Sequence, residues 1–126
     1  MESNVANILE NNISVVLNEF LKVKGVVAVA LIGRDGFVIE SVAKRDVNMD
    51  ALGAMVATAI GTTEMLGQEF ELGAMDQYVS EFATGKILMA TALDDILAIF
   101  TDSTAAIGGV RYAVKKGMSK VIAAIQ

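Results

Sequence analysis

Cysteine, histidine, proline and tryptophan are all missing from this chain of 126 residues. Without His or Cys, the commonest general bases, nucleophiles and metal ligands are gone. Without Cys there is also no disulfide framework, which disfavours a small stapled secreted fold. The lack of proline, with no Ser-rich or Gly-rich stretch, leaves nothing that reads as a linker. Residues 1–126 are therefore expected to form one domain of ordinary size. Basic charge is also scarce: 10 Lys and Arg stand against 15 Asp and Glu, a net charge of −5. No concentrated basic patch offers itself to nucleic acid. No apolar run approaches the roughly 20 residues that span a bilayer. The start, Met1-Glu2-Ser3-Asn4, lacks the basic and apolar regions of a signal peptide. The expectation is a cytoplasmic protein that neither binds nucleic acid nor inserts into a membrane.

Apolar side chains, by contrast, are abundant. Hydrophobic residues make up 54% of the chain, and the mean hydropathy is +0.55. That is high for a soluble monomer and points to apolar surface covered by a partner. The stretch from Asn48 to Gly73 is where this surplus is concentrated. From Ala51 to Thr63 it carries no charge. At helical spacing, Leu52, Val56, Ala59, Ile60, Thr63, Leu66 and Phe70 form a bulky stripe. Ala54, Ala57, Thr58, Gly61 and Met65 form a second stripe of mostly small residues on the opposite side. A helix apolar all round must be covered on both sides. The bulky stripe is expected to pack on the chain's own core, and the small stripe to receive another protein surface.

The remaining pattern alternates between helix and strand signals. Residues 3–22 have apolar side chains at helical spacing, with Ser3 or Asn4 as a cap. Lys24-Gly25 ends this helix, and Val26–Ile32 reads as a buried strand. Gly33-Arg34-Asp35-Gly36 reads as a tight hairpin turn into a second strand, Phe37–Val42. Asn48 is the expected N-cap of the central helix, and Gly73 its C-terminal stop. Met75–Ala83 alternates as a strand, with Tyr78, Ser80 and Phe82 on one face and Gln77, Val79 and Glu81 on the other. Thr84-Gly85 and Asp94-Asp95 are the expected turns into Lys86–Leu93 and Ile96–Thr101, an antiparallel meander. A last helix, with Asp102, Ser103 or Thr104 as its cap, carries Ile107, Val110, Val114, Val121 and Ile125 along one stripe. The order α-β-β-α-β-β-β-α specifies an α+β fold, a five-stranded, mainly antiparallel sheet with helices on its faces.

Few residues suggest chemistry. Asp94-Asp95 is the one adjacent carboxylate pair and reads as a solvated turn rather than a metal or acid/base site. The Gly33–Gly36 turn lies between strands rather than before a helix, so it does not match a phosphate-cradling loop. Gly85-Lys86 lacks the glycine that a P-loop requires five residues earlier. Gly108-Gly109 reads as close packing rather than an anion site. Glu64, Glu69, Glu71, Asp76 and Glu81 border the small stripe as a solvated rim able to steer a basic partner. Lys115, Lys116 and Lys120 read as a wet helix face. No catalytic residue, cofactor or metal is implied.

Taken together, Val23–Ile32, then Gly33-Arg34-Asp35-Gly36-Phe37-Val38-Ile39-Glu40-Ser41, then the Ala-rich helix opening Asp50-Ala51-Leu52-Gly53-Ala54, and finally Gly108-Gly109-Val110-Arg111, resemble the Roadblock/LC7 domain over nearly the whole chain. That family includes dynein light chains, Ragulator-type scaffold subunits and the MglB-type partners of Ras-like GTPases. The resemblance implies a profilin-like layout and a homodimer, or a dimer with a sister Roadblock chain, formed by the central helix and the third strand. By carry-over, Ala54, Ala57, Thr58, Gly61 and Met65 lie on the helix that forms the dimer and the platform for a small Ras-like GTPase. Tyr78 and Val79 lie on the pairing strand. The implied function is non-enzymatic regulation or scaffolding, including modulation of GTP hydrolysis. Arg34, Arg45 and Arg111 are the only arginines that could act as a finger. A purely structural subunit of the dynein light-chain or scaffold sort is the alternative. A small-ligand sensor with a PAS-like or profilin-like sheet is a further one, and the lack of His, Trp and buried polar clusters weighs against it.

Overall fold

A computed structural model describes residues 12–126. The expected helix start at residue 3, with its cap at Ser3 or Asn4, lies outside the described residues. The described part of that helix, α1, spans Ile13–Leu21, with the Asn12 side chain accepting from the Ser14 N–H at 2.8 Å. Then come β1 (Val26–Ile32), β2 (Val38–Ala43), α2 (Met49–Glu69), β3 (Gln77–Phe82), β4 (Gly85–Ala92), β5 (Asp95–Thr101) and α3 (Ile107–Ile125). Every strand pairing is antiparallel, and the spatial order is β2-β1-β5-β4-β3. The α+β order read from the sequence is the one observed.

The sheet order explains the strand composition. β1 and β5 occupy the middle and have both faces covered, so they are near-continuous apolar runs instead of alternating ones. Leu31, Ile32, Ile96, Leu97 and Ile99 are all buried. On one face α1 and α3 lie side by side, packing Leu17, Phe20, Val110, Val114 and Val121 on Val29, Leu31, Leu88, Leu97 and Ile99. On the other face α2 lies alone, with Val56 and Ile60 over Ala30, Ile32, Met89, Ile96 and Ala98. Each fully buried aliphatic side chain contributes about 1.5–3 kcal/mol. Alanines at 30 and 98 let the helix backbone sit close to the strands.

Helix α2 is also the crossover that carries the chain from the β2 edge to the β3 edge. Its start is capped as expected, with Asn48 Oδ1 accepting from the Ala51 N–H at 3.2 Å and Asp50 in the first turn. Its seat is set by two glycines. A Cβ at Gly53 would lie 2.6 Å from the Gly36 carbonyl oxygen and 2.9 Å from Val38 Cγ2, so the helix rests directly on the β1–β2 turn. Gly36 itself has φ +90°, a conformation that suits glycine.

Several boundaries differ from the sequence reading. Helix α2 does not run to Gly73. It stops at Glu69 in a Schellman motif, with the Leu72 N–H donating to the Gly67 carbonyl at 2.8 Å and the Glu71 N–H to the Gln68 carbonyl at 3.0 Å. Glu71, not a glycine, takes the positive φ of 57°. Strand β3 starts two residues later than Met75, because the Met75 carbonyl accepts from Thr91 Oγ1 at 2.9 Å and the Asp76 carbonyl from the Thr91 N–H at 3.2 Å before the ladder begins. Both meander turns sit one residue earlier than read. Phe82 pairs with Gly85 and Ala92 with Asp95, so the turn residues are Ala83-Thr84 and Leu93-Asp94. Leu93 accordingly takes φ 55°. The cap of α3 is Ala106, with no side-chain hydrogen bond. Asp102 instead folds onto Thr104, accepting from its N–H at 2.8 Å and its hydroxyl at 2.6 Å.

Candidate interaction face on the central helix

The side of α2 turned away from the sheet is open. Ala54, Thr58 and Gly61 are exposed, and Met55 and Met65 are 62% and 69% exposed. No atom lies within 4 Å of a Cβ built on Gly61. Ala54, Met55, Thr58 and Ala59 line a shallow depression of about 370 Å³. Ala57 departs from the expected stripe: it is half-buried. The 3.6-residue period rotates it toward the flank of the helix.

The threonines on this helix are less polar than their formulas suggest. Thr58 Oγ1 donates to the Ala54 carbonyl at 2.9 Å, Thr62 to Thr58 at 3.0 Å and Thr63 to Ala59 at 2.8 Å. With the hydroxyl donors used inside the helix, each side chain can be covered by a partner at low desolvation cost.

The bulky stripe splits in two. Val56 and Ile60 are buried and Leu52, Ala59 and Thr63 are half-buried, as expected of a core-facing side. Leu66 and Phe70 are not in the core; they are 62% and 76% exposed, and Leu72 beyond them is 75% exposed. Helix α2 has its last buried residue at Ile60, which shares the core of this face with Met89 of β4. Its last two turns pass the point where there is core to cover. Thr63, Leu66, Gly67, Phe70, Leu72 and Met75 contribute to a cleft of about 330 Å³ there. Periodicity alone could not find this, because it assigns a residue to a side of the helix and not to a distance along the sheet.

Strand β3 lies at the sheet edge and pairs only with β4. Tyr78 packs with the α2-side core and Val79 with the α1/α3-side core, and both are half-buried. Tyr78, Ile87 and Phe100 form a half-buried apolar strip of sheet on the α2 side. An edge strand with unpaired backbone groups beside half-covered apolar surface is a ready template for another chain.

A charged pin holds α2 in place. The Arg34 guanidinium donates to the Glu64 carboxylate, and its Nε donates to the Asp94 carbonyl at 3.0 Å. One side chain therefore ties the β1–β2 turn, the β4–β5 turn and the far half of α2 together. Engaged on both sides, Arg34 is not presented as an arginine finger; Arg45 and Arg111 are exposed on the surface. Glu69, Glu71, Asp76 and Glu81 are exposed, as expected of a rim, whereas Glu64 belongs to the pin.

Two of the places considered for chemistry lie at turns of the sheet. Asp94 and Asp95 lie at the β4–β5 turn, where burial, with help from the Asp94 and Asp35 carboxylates, raises the Asp95 carboxyl above its ordinary pKa. Among the described residues no group of three or more carboxylates is placed to hold a metal ion. The Gly33–Gly36 turn is closed on itself, with the Gly36 N–H donating to the Gly33 carbonyl at 2.9 Å and the Gly33 N–H to the Phe37 carbonyl at 2.8 Å. No helix among the described residues is long and apolar enough to cross a membrane.

Comparison with known proteins agrees with this architecture. The sequence model of the Roadblock/LC7 domain matches residues 13–101. An uncharacterized protein of Methanocaldococcus jannaschii is 33% identical over 113 residues, covering 90% of this chain and 96% of that protein. Among solved structures, Myxococcus xanthus MglB superposes with a TM-score of 0.82 at 19% identity, covering 87% of this chain and 91% of that one. The gliding protein MglB of Thermus thermophilus gives 0.82 at 22% identity, covering 89% and 87%.

Proposed function

The chain belongs to the Roadblock/LC7 family, and from that premise we propose that it is a non-enzymatic, dimeric regulator or scaffold for a small Ras-like GTPase. The observation that carries the proposal is the state of α2: an open outer face of small and methionine side chains, continuous with exposed apolar side chains at Leu66, Phe70 and Leu72. A second copy, or a sister Roadblock chain, that pairs its β3 with this one would cover the exposed Leu66 and Phe70 and the half-buried apolar strip at Tyr78, Ile87 and Phe100. The two sheets would then continue across the join. Small residues at 54, 58 and 61 let a further protein backbone approach the paired helices, and the exposed carboxylates at 69, 71 and 76 favour encounter with a basic surface. In this reading residues 1–126 act as one domain, and its site comprises Ala54, Thr58, Gly61 and Met65, with Tyr78 and Val79 on the joining strand and Ala57 on the flank. The chain works by holding and reshaping the GTPase, with no side chain of its own entering the reaction.

The test uses the purified chain as bait for candidate Ras-like GTPases loaded with GDP or a GTP analogue. Nucleotide-dependent capture that is lost in Gly61→Arg, with the fold and dimer retained, supports the site. Equal capture by the variant removes α2 as the platform. Turnover of GTP measured with and without the chain then separates regulation from pure scaffolding: unchanged rates favour scaffolding.

A further inference from the structure

The face opposite α2 holds a second feature, independent of the GTPase reading. Helices α1 and α3 do not close fully over the sheet. Between them lies a groove of about 400 Å³ lined by Val16, Phe20, Val23, Ala113, Lys116 and Lys120, with Gly109, Tyr112, Glu19 and Gly117 completing it. The apolar residues supply its floor. Gly117 lets Phe20 lie close to the α3 backbone, since a Cβ there would be 2.7 Å from Phe20 Cζ. Tyr112 stands 66% exposed at the rim.

Charge in this region runs against that of the whole chain. The chain is net negative, yet α3 carries Arg111, Lys115, Lys116 and Lys120 and no acidic residue. The one carboxylate of the groove, Glu19, lies 3.4 Å from Lys22 Nζ and is compensated there. Among the described residues no carboxylate pairs with Lys116 or Lys120. Two lysines one helical turn apart thus border an apolar trough with no carboxylate partner among the described residues.

We propose that this groove docks an acidic amphipathic helix of a partner protein, laying apolar side chains along Val16, Phe20 and Ala113 and carboxylates against Lys116 and Lys120. The groove opens onto the surface between two helices, where a helix face can lie along it with its carboxylates beside the lysines. It lies on the opposite face of the sheet from α2, so this occupant and one on α2 do not compete for space. The chain would then join two partners through the two faces of one sheet.

The experiment is an NMR titration of the full-length labelled chain with a designed helical peptide of about 18 residues. The peptide has leucines at i, i+3, i+4 and i+7 and glutamates on the flanks; a second peptide has lysine at every glutamate position. Saturable shifts confined to amides of residues 16–23 and 109–120 are expected with the acidic peptide and not with the basic one. Lys116→Glu with Lys120→Glu is expected to weaken binding at least about tenfold. Gly109→Leu provides the steric test. No atom lies within 4 Å of a Cβ at Gly109, and leucine favours the helix, so the variant stays folded while filling the groove, and binding is lost. Absence of saturable binding, equal binding of the two peptides, or undiminished binding by either variant overturns the proposal. So does binding only to vesicles rich in phosphatidylglycerol, which would make the basic face a lipid contact. Shifts on α2 instead of the groove would likewise overturn it.

Discussion

Arg34 and Glu64, thirty residues apart in sequence, are joined as donor and acceptor, and the same arginine also donates to the Asp94 carbonyl. This pin is the polar link between the far half of α2 and the sheet, beyond the last buried contact at Ile60. Both side chains are about one third exposed, 38% and 27%, so the pair is neither a free surface ion pair nor a fully desolvated one. Arg34→Ala is expected to lower stability by about 1 kcal/mol. Hydrogen exchange should speed up in residues 61–69 more than in 51–58. A uniform change along α2 would show that the pin does not hold the far half.

Gly53 and Gly61 occupy the same helix and are expected to respond to alanine with opposite signs. At 53 the new methyl would meet the Gly36 carbonyl and Val38, and the helix must lift from the turn, at a cost of about 1–3 kcal/mol. At 61 nothing stands within 4 Å, so the gain in helix propensity of up to about 1 kcal/mol is realised. Urea denaturation of the two variants at one protein concentration measures both.

Leu66 and Phe70 are exposed in the isolated chain because the helix outruns its own sheet. If a second copy covers them, Leu66→Asp with Phe70→Asp is expected to yield a monomer in sedimentation equilibrium while the circular dichroism stays native. A dimer that persists with unchanged affinity would place the join elsewhere, and a monomeric parent chain would remove the homodimer from the proposed function.

The two aspartates with shifted pKa act in opposite directions. Asp95 is raised by burial, so the folded state holds its proton more tightly than the unfolded one, and its charge opposes folding at neutral pH. Asp95→Asn is therefore expected to raise Tm at pH 7, the advantage shrinking as pH falls toward the ordinary value of 3.8. Asp102 is lowered by its hydrogen bonds to Thr104; its contribution is present above 3.8 and lost as pH falls through the folded value. Thr104→Ala removes the hydroxyl donor and keeps the backbone one, so it should weaken that second effect and leave the Asp95 effect intact. Thermal melts between pH 3 and pH 7 distinguish them.

Which side of α2 stays open was partly legible in the chain, and the exceptions have a common cause. The uncharged run from Ala51 to Thr63 led to the expectation of a helix with a second side not covered by its own core, and Ala54, Thr58, Gly61 and Met65 are on the open side. Ala57 turned toward the flank, and Leu66 and Phe70 left the core, because helical periodicity fixes angle and not the extent of the surface beneath. The basic α3 read as a wet face for a similar reason: whether a lysine borders bulk water or a groove depends on how closely a distant helix packs beside it.

By itself the sequence determined the element types, their order and the antiparallel meander, since hydrophobic period, turn residues and two-residue connections are local and leave little freedom. It also excluded thiol and imidazole chemistry through composition alone. The tertiary structure decided the strand order, which makes α2 a crossover between opposite edges and leaves β3 open. It decided the exact turn residues as well, because register is settled by pairing across the whole sheet, even at the cost of a positive φ at Leu93. The pin from Arg34 to Glu64 and the groove between α1 and α3 also arise only at this level. Each joins residues brought together by the sheet, at separations along the chain over which no local pattern carries information.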